Sequence, residues 1–393
     1  MPDKDTGIEN TNRRKVLKVG GASALGLTGL AGCLTGGGGG SGGENTTTES
    51  SGGGGDDMTT ESGGGMDFGG QEISVMLNVG AISTVHKKYL IPRVEEKYNL
   101  NINTTTAVTT QQLTKLQANQ DDPPDVLIPD VIGIEKAARN EWLTSLTDHA
   151  DKVPNVENIY DKFVHYDGTG VSWQVGEVLP VINTQMWDST PSSHAGVMQD
   201  SNSTAVVPFS WSGGPYLLLM ASAIATGNSF NSELDVEAGF QWLEENFAPN
   251  VSTEYGGVAS AKQQLASGNV DTLNLFWDYM VYDMFNNDQP IDPLFRLEPN
   301  GIPFAECVAV PNGTNNMDPA LAYANECLSV WFQEKVSANM GSGVTNKDAS
   351  VAQKAQEFGA TTADEFDQLT FPNFRYIWEN RSDWSQRWNE IFS

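Results

Sequence analysis

The segment PPDVLIPD, at positions 123–130, predicts a short buried strand. Its centre is apolar, and prolines stand on both sides of it, where they end a strand because proline cannot donate a ladder hydrogen bond. A helical pattern follows at 134–141. A strand followed by a helix at this spacing is typical of a parallel α/β sheet, and Asp130 would lie at the carboxyl end of the strand, where such sheets bind ligands.

The alternation of strands and helices continues on both sides of this segment. Strand patterns occupy 72–78, 100–107, 178–183, 268–277 and 307–311, and helical patterns occupy 85–97, 111–119, 236–246, 259–267 and 319–332. This order predicts an α/β protein with mostly parallel sheets. About 320 residues follow the N-terminal region, more than a single hydrophobic core usually serves, so two lobes are expected.

One helix has a particularly clear beginning and end. Its apolar run, 217–225, follows the turn Ser212-Gly213-Gly214 and is closed by Gly227. We expect Ser212 to cap this helix and Gly227 to end it in a left-handed conformation.

The first 70 residues indicate export followed by a tether. Arg13 and Arg14 belong to a twin-arginine pattern. It is followed by an apolar run of roughly a dozen residues, which is too short to span a bilayer. Leu30-Ala31-Gly32-Cys33 then matches a lipobox. We therefore expect 1–33 to be a lipoprotein signal with Cys33 lipidated, placing the protein at the outer face of the cytoplasmic membrane. Residues 34–70 are mostly Gly, Ser, Thr and acidic residues, a composition typical of a disordered tether.

The charge of the chain limits its partners. It has 50 acidic and 22 basic side chains and a formal net charge of -28. Such a chain cannot assemble the basic face that nucleic acid requires. Scattered acidic residues of this kind resemble those of proteins from salt-loving archaea, so we interpret the charge as adaptation to concentrated salt.

The cysteines and histidines do not form a recognisable catalytic or metal-binding motif. Cys307 and Cys327 could form a disulfide or could be two buried thiols, and no Cys/His cluster predicts a metal site or a cofactor. The four histidines stand apart in the sequence and are expected at the surface. The sequence also lacks Gly-x-Ser-x-Gly and His-Glu-x-x-His, which argues against a hydrolase and for a protein that is not an enzyme.

Several segments, in this order, resemble the extracellular solute-binding proteins of ABC importers, most nearly the spermidine/putrescine-binding branch. The segments are 125–130 with 142–146, 175–177 with Asn183, 265–277, and 301–311. The resemblance covers nearly all of the chain after the tether. It implies a periplasmic-binding-protein-like type II fold with two α/β lobes around a hinge and a ligand cleft. Lobe 1 would comprise 71–182 plus 304–345, and lobe 2 would comprise 183–303 plus 346–393.

The resemblance also implies how the protein would work. A small polar solute, with an amine or a zwitterionic character, would be captured as the lobes close, because it contacts both of them. The closed monomer would deliver the solute to a membrane permease that an ATPase drives.

Binding residues follow from the same resemblance. Trp277 falls where the polyamine binders place a stacking tryptophan, Glu306 where they place an acidic partner for an amine, and Phe304 where they have a tryptophan. Asp130 and Asp278 are further candidate partners for a cation.

The sequence departs from the polyamine binders at two places. Their first-strand aromatic and acidic cluster corresponds here to 78–81, and Ser212-Gly213-Gly214, followed by Tyr216, replaces an acidic pair. Free N–H groups at the start of a helix favour an anion, so this turn could bind a carboxylate.

Other functions stay open from the sequence. Tyr216, Tyr255, Tyr279 and Tyr282 could serve a ferric-iron binder of the same superfamily, and a sugar is another possible solute. An exported lipoprotein hydrolase and a surface-layer component are the alternatives outside the superfamily.

Overall fold

The computed structural model describes residues 66–299 and 301–392. The predicted export signal, with Arg13, Arg14 and Cys33, lies outside the described residues, as does the predicted tether up to residue 65. Within the described part of the chain, none of the helices is both long and apolar enough to cross a membrane.

The strands are numbered from the N-terminus. They are β1 (Gln71–Leu77), β2 (Leu100–Thr106), β3 (Val126–Leu127), β4 (Leu143–Thr144), β5 (Val164–His165), β6 (Gly170–Asn183), β7 (Thr204–Val206), β8 (Val251–Glu254), β9 (Thr272–Trp277), β10 (Ile291–Pro293), β11 (Ile302–Val308) and β12 (Val310–Pro311).

The α-helices are numbered in the same way. They are α1 (Ala81–Val85), α2 (Ile91–Tyr98), α3 (Thr109–Ala118), α4 (Val131–Arg139), α5 (His194–Asp200), α6 (Gly213–Thr226), α7 (Val236–Asn246), α8 (Val258–Ala266), α9 (Tyr282–Asn286), α10 (Met317–Cys327), α11 (Val330–Met340), α12 (Gln353–Phe358), α13 (Ala363–Phe366) and α14 (Phe374–Phe392). A π-helical turn, His86–Leu90, joins α1 to α2.

The segment at 123–130 forms part of a three-stranded parallel sheet with the order β2-β1-β3. The prolines confine the paired part of β3 to two residues, but the ladder extends beyond them, since the Ile128 N–H donates to the carbonyl of Met76 at 2.9 Å. α4 begins immediately after Asp130. The predicted unit of strand and helix is therefore confirmed, and this sheet is the centre of the first lobe.

The second sheet has seven strands, in the order β10-β6-β9-β7-β8, with β11 and β5 also paired to β6. β7 is parallel to β8 and β9, but β6 is antiparallel to each of its partners. The prediction of mostly parallel strands is wrong for this sheet. The reason is that β10 and β11 come from distant parts of the chain and return along β6, a pairing that local spacing does not reveal.

Strands β6 and β11 connect the two lobes. β6 is 14 residues long and wholly buried, where the sequence predicted a strand only at 178–183. β11 pairs with β6 from Val171 to Val178, beyond which β6 pairs with β9 and β10 of the second lobe. At its other end, β11 reaches the first lobe, where the Cys307 N–H donates to the carbonyl of Pro129 at 2.9 Å.

Helix α14 touches both lobes. It packs on α6 and α7 and also on α4, and the indole Nε1 of Trp378 donates to the carbonyl of Ile132 at 2.8 Å. The predicted lobe boundaries, which give 346–393 to the second lobe alone, stay a prediction, and α14 contributes contacts to each side.

Two local predictions require correction. The helix predicted at 319–332 is two helices, because Ser329 has an extended backbone and accepts from the N–H of Phe332 at 3.3 Å, which starts α11. The histidines are not all at the surface, since His86 and His194 are buried.

The burial of His86 explains its role. Its Nδ1 lies 2.7 Å from the hydroxyl of Tyr323, and its ring meets Trp173 edge-on at 4.8 Å. Burial lowers the pKa of His86 to about 3, so the ring is neutral and packs as part of the core. Cys307 and Cys327 are both buried and unpaired.

Candidate functional site

A cleft of about 470 Å³, which is partly open to solvent, lies between the two lobes and forms the first cavity. The first lobe contributes the carboxyl ends of its strands and the start of α3, and the second contributes the turn before α6 and the segment after β9. The residues that line it are Asn78, Val79, Val108, Thr109, Thr110, Asp130 and Ile132 from the first lobe and Ser210, Trp211, Ser212, Trp277, Tyr279 and Met280 from the second. Both lobes therefore form its walls.

Asp130 is the acidic group of this cavity. Its backbone N–H donates to the hydroxyl of Thr109 at 3.0 Å, and its Oδ2 accepts from the hydroxyl of Ser212, in the opposite lobe, at 3.4 Å. No donor within the described residues reaches Oδ1, and no lysine or arginine there pairs with the carboxylate. Burial raises the pKa of Asp130 to about 7, against the lowering effect of Ser212 and the N–H groups of α4.

Glu306 is a second carboxyl group beside Asp130. The two residues face each other in an antiparallel bridge between the end of β3 and β11. Oε1 of Glu306 accepts from the amide of Asn78 at 2.8 Å. Burial and then the neighbouring Asp130 carboxylate raise the pKa of Glu306 well above its ordinary value. The structure thus brings together these two sequence-predicted residues, and a cation between them would relieve the cost of ionising both.

Aromatic rings form the opposite wall. Trp277, at the end of β9, lies with its ring centre 5.8 Å from that of Trp211. Trp211 in turn meets Tyr255 edge-on at 5.6 Å, and Tyr279 packs on Phe304 at 5.2 Å. Aromatic faces of this kind attract cations and apolar chains. The carboxyl pair and the ring wall therefore favour the same class of group.

The loop that carries Trp211 is fixed by α14. The guanidinium of Arg381 donates to the carbonyls of Phe209 at 3.0 Å and of Ser210 at 2.6 Å. The same guanidinium lies over the ring of Trp378, which is bonded to the first lobe. The position of the aromatic wall thus depends on the C-terminal helix.

The turn at 212–214 differs from the prediction in one respect. Gly227 ends α6 in the left-handed conformation as expected, but the hydroxyl of Ser212 makes no capping bond and donates to Asp130 instead. Gly213 lies against Val207 and Trp277, and a side-chain carbon at Gly214 would overlap the backbone of Phe209. Close packing therefore requires glycine at 214, whereas a side chain at 213 would need Val207 to shift slightly. Ser212 occupies the N-cap position as predicted, but its side chain does not cap the helix, and its backbone is already helical, with φ -61° and ψ -31°.

Three predicted residues lie behind the cavity wall. Asp278 is fully buried, and its carboxylate accepts from the N–H groups of Glu177 at 2.9 Å and of Tyr279 at 2.5 Å. Burial raises its pKa well above the ordinary value. Phe304 supports Tyr279, and Tyr216 is buried within the second lobe. These residues shape the wall and do not line the cavity.

Some residues of the cavity were not singled out from the sequence. Trp211 directly precedes the predicted turn at Ser212. Because it adjoins a candidate binding segment, it could have been predicted as a site residue. Asn78 was noted only as a departure from the polyamine binders, yet it holds Glu306. Thr109 gave no comparable signal, because only the fold brings it to the cleft, and Tyr279 was considered only as a possible iron ligand.

The tyrosines considered as iron ligands do not share one role in the structure. Tyr279 lines the cavity, whereas the hydroxyl of Tyr255 donates to the carbonyl of Leu275 at 3.0 Å. Within residues 66–299 and 301–392, no group of three or more His, Cys, Asp or Glu residues could hold a metal ion. The alternative of an iron binder is not favoured.

Comparison with known proteins shows similarity of structure only. No family model and no curated protein matches the sequence. An ABC transporter structure from Clostridium perfringens matches with a TM-score of 0.66 and 18% identity, over 82% of this chain and 100% of that one. The Atu4243-GABA receptor matches with a TM-score of 0.67 and 15% identity, over 82% and 98% of the two chains.

A further similar structure is AfuA, a periplasmic binding protein of Actinobacillus pleuropneumoniae with fructose-6-phosphate bound. It matches with a TM-score of 0.65 and 15% identity, over 82% of this chain and 98% of that one. At these identities the likeness concerns the fold and does not extend to the ligand. The chain therefore has the two-lobed α/β fold of periplasmic binding proteins, the fold expected from the sequence.

Proposed function

We propose that this protein is the extracellular solute-binding receptor of an ABC importer and captures a small solute by lobe closure. The observation that carries the proposal is the cavity between the lobes, lined from both sides and crossed by the contact between Asp130 and Ser212. A solute that touches both walls stabilises the closed form more than the open form, and only that difference can drive closure.

The chemistry of the cavity favours a solute with a cationic group. Asp130 and Glu306 are adjacent carboxyl groups without a cationic partner among the described residues, and Trp211, Trp277 and Tyr279 supply aromatic faces. An ammonium group would offset the desolvation of the carboxylates and bind to the rings. The sequence landmarks shared with polyamine binders support the same class.

The hinge would consist of β6 and β11. These strands are paired with each other and run from one lobe to the other, so bending them changes the angle between the lobes. The proposed lobes are 71–182 plus 304–345 and 183–303 plus 346–393, with α14 as a contact between them.

The location of the protein is also part of the proposal. The twin-arginine pattern at Arg13 and Arg14 would export the folded chain, and a lipid on Cys33 would hold it at the outer face of the cytoplasmic membrane. A single acyl chain binds only weakly, so a lipoprotein-type anchor with more than one chain is expected. The segment 34–70 would let the cleft reach the permease.

The function is tested by a thermal-shift screen of the purified protein in concentrated KCl. The screen would compare amines, diamines, amino acids, sugars and ferric iron. A solute at 100 times its dissociation constant adds about 2.7 kcal/mol to the free energy of unfolding. Stabilisation by cationic solutes that Asp130→Asn clearly reduces would support the proposal. Stabilisation by sugars or iron alone, unchanged in that variant, would contradict the cationic class.

A further inference from the structure

A second cavity adjoins the first, and its charged lining residues are two lysines, Lys88 and Lys262, and one aspartate, Asp283. Its volume is about 810 Å³, part of it open to solvent, and it shares Tyr279 and Met280 with the first cavity as a common wall. Ala81, Thr84 and Lys88 of the first lobe line it on one side. On the other side it is lined by the second lobe, so it is a continuation of the same cleft.

Two lysines that line this cavity favour an anionic ligand. Lys88 and Lys262 both line it, one from each lobe, in a chain with only 22 basic side chains and a formal net charge of -28. Lys262 pairs with Asp283, which also lines the cavity and is 64% exposed, so the Asp283 carboxylate partly compensates the charge of Lys262. Lys88 forms no ion pair within the described residues, and its ammonium lies over the ring of Tyr89 at 4.9 Å.

The backbone adds to the positive potential of this cavity. Val258, the first residue of the nine-residue helix α8, lines the cavity four residues before Lys262. Gly257 precedes it and makes no side-chain cap, and the first turn has no acidic residue. Side-chain carbons at Gly256 and Gly257 would meet open space, so the start of the helix is accessible. The helix dipole therefore supports the lysines.

The turn at 212–214 is less suited to an anion than the sequence indicated. The Ser212 hydroxyl is bonded to the Asp130 carboxyl, and the N–H of Gly214 donates to the carbonyl of Trp211 at 3.3 Å. A carboxylate placed there would meet the negative charge of Asp130 whenever that group is ionised. The adjoining cavity offers lysines, Lys88 and Lys262, as partners for a carboxylate.

We propose that the cavity lined by Lys88 and Lys262 binds the carboxylate of a solute whose ammonium group lies between Asp130 and Trp211. This inference rests on the proposed function and assigns the solute to the ω-amino acids or similar bipolar molecules. The lysines come from different lobes, so a carboxylate bound by both stabilises the closed form. This effect adds to that of the ammonium group.

The test compares matched probes on the full-length protein in concentrated KCl. The probes are γ-aminobutyrate and its longer homologues, the alkylamines that lack only the carboxylate, and the diamines of equal length. Calorimetry on the wild type, Lys88→Gln and Lys262→Gln would measure each affinity. Lys152→Gln is the matched control, because Lys152 also pairs with a half-exposed aspartate, Asp318, at 2.6 Å, outside both cavities.

The proposal predicts that at least one amino acid binds the wild type more tightly than its matched amine. Each cleft variant should weaken that amino acid about tenfold, the loss expected for a partly exposed bond between charged groups, and leave the amine unchanged. Amines that bind as tightly as the amino acids, or amino acid affinities that the two variants leave unaltered, would overturn the lysine site while the cationic pocket stands. Failure of every probe to bind would overturn both.

Discussion

Replacing Asp130 by Asn tests the electrostatics of the cleft directly. The asparagine keeps the size of the side chain and can still accept from Ser212, so the packing of the closed form is preserved. It removes a group that burial holds at a pKa of about 7, against an ordinary value of 3.8. That difference corresponds to about 4 kcal/mol of free energy between the charged and neutral forms.

The direction of the effect on stability follows from proton linkage. The folded protein keeps the proton of Asp130 to a higher pH than the unfolded chain does, so this group supports folding at low pH. The support is lost as the pH rises from 3.8 through about 7. Between about pH 5 and pH 8, the wild type should therefore lose about 2.5 kcal/mol of unfolding free energy that the variant retains.

Chemical denaturation of both proteins at the two pH values would measure this difference. Asp188→Asn removes an exposed carboxylate and serves as the control for the loss of one negative charge. If the difference between the wild type and Asp130→Asn were the same at both pH values, Asp130 would not titrate in this range, and the argument from desolvation would be refuted.

The same group links ligand binding to pH. An ammonium ligand favours the ionised form of Asp130, so its affinity for the wild type should rise with pH up to about 7 and be accompanied by proton release. In Asp130→Asn the affinity should be lower by tenfold to about a hundredfold, and its pH dependence should be weaker, with only the contribution of Glu306 left. Calorimetry in buffers of different ionisation enthalpy would detect the released proton.

Further predictions concern the wall, the hinge and the anchor. Trp211→Ala should weaken cation binding by about 1 kcal/mol while Trp211→Phe retains most of the affinity, as calorimetry would show. Gly176→Ala should reduce the unfolding free energy by about 1–3 kcal/mol, because the new methyl group would overlap the Asp278 carboxylate. Gly256→Ala, which meets open space, should be nearly neutral in the same denaturation assay. Cys33→Ser should release a ligand-competent protein into the medium, and loss of ligand binding in the released protein would contradict a purely tethering role.

The local structure was largely predictable from the sequence. The prolines around 126–128 limit a strand, and the short distance from there to α4 is enough to predict a unit of strand and helix. Gly227 ended α6 where expected, since glycine adopts the left-handed conformation at little cost. Such features depend on neighbours a few residues away, which is why a sequence pattern records them.

The arrangement of the site was only partly predictable. The resemblance to solute-binding proteins pointed to Asp130, Trp277 and Glu306, and the structure places the first two in the cavity wall with the third beside it. It did not point to Trp211 or to Lys88. Their roles arise because the lobes bring segments far apart in the chain to one cleft.

Composition and short motifs by themselves determined the acidic character of the chain, the expectation of export and a lipid on Cys33, and the alternation of strands and helices. Only the tertiary structure decided that β6 is antiparallel to β11. It also decided that the hydroxyl of Ser212 donates a hydrogen bond to Asp130 and does not cap α6. It further decided that the cavity with Asp130 adjoins the cavity lined by Lys88 and Lys262. The physical reason is that periodicity and capping are short-range properties, whereas desolvation and charge pairing depend on which distant segments the packing brings within a few ångströms.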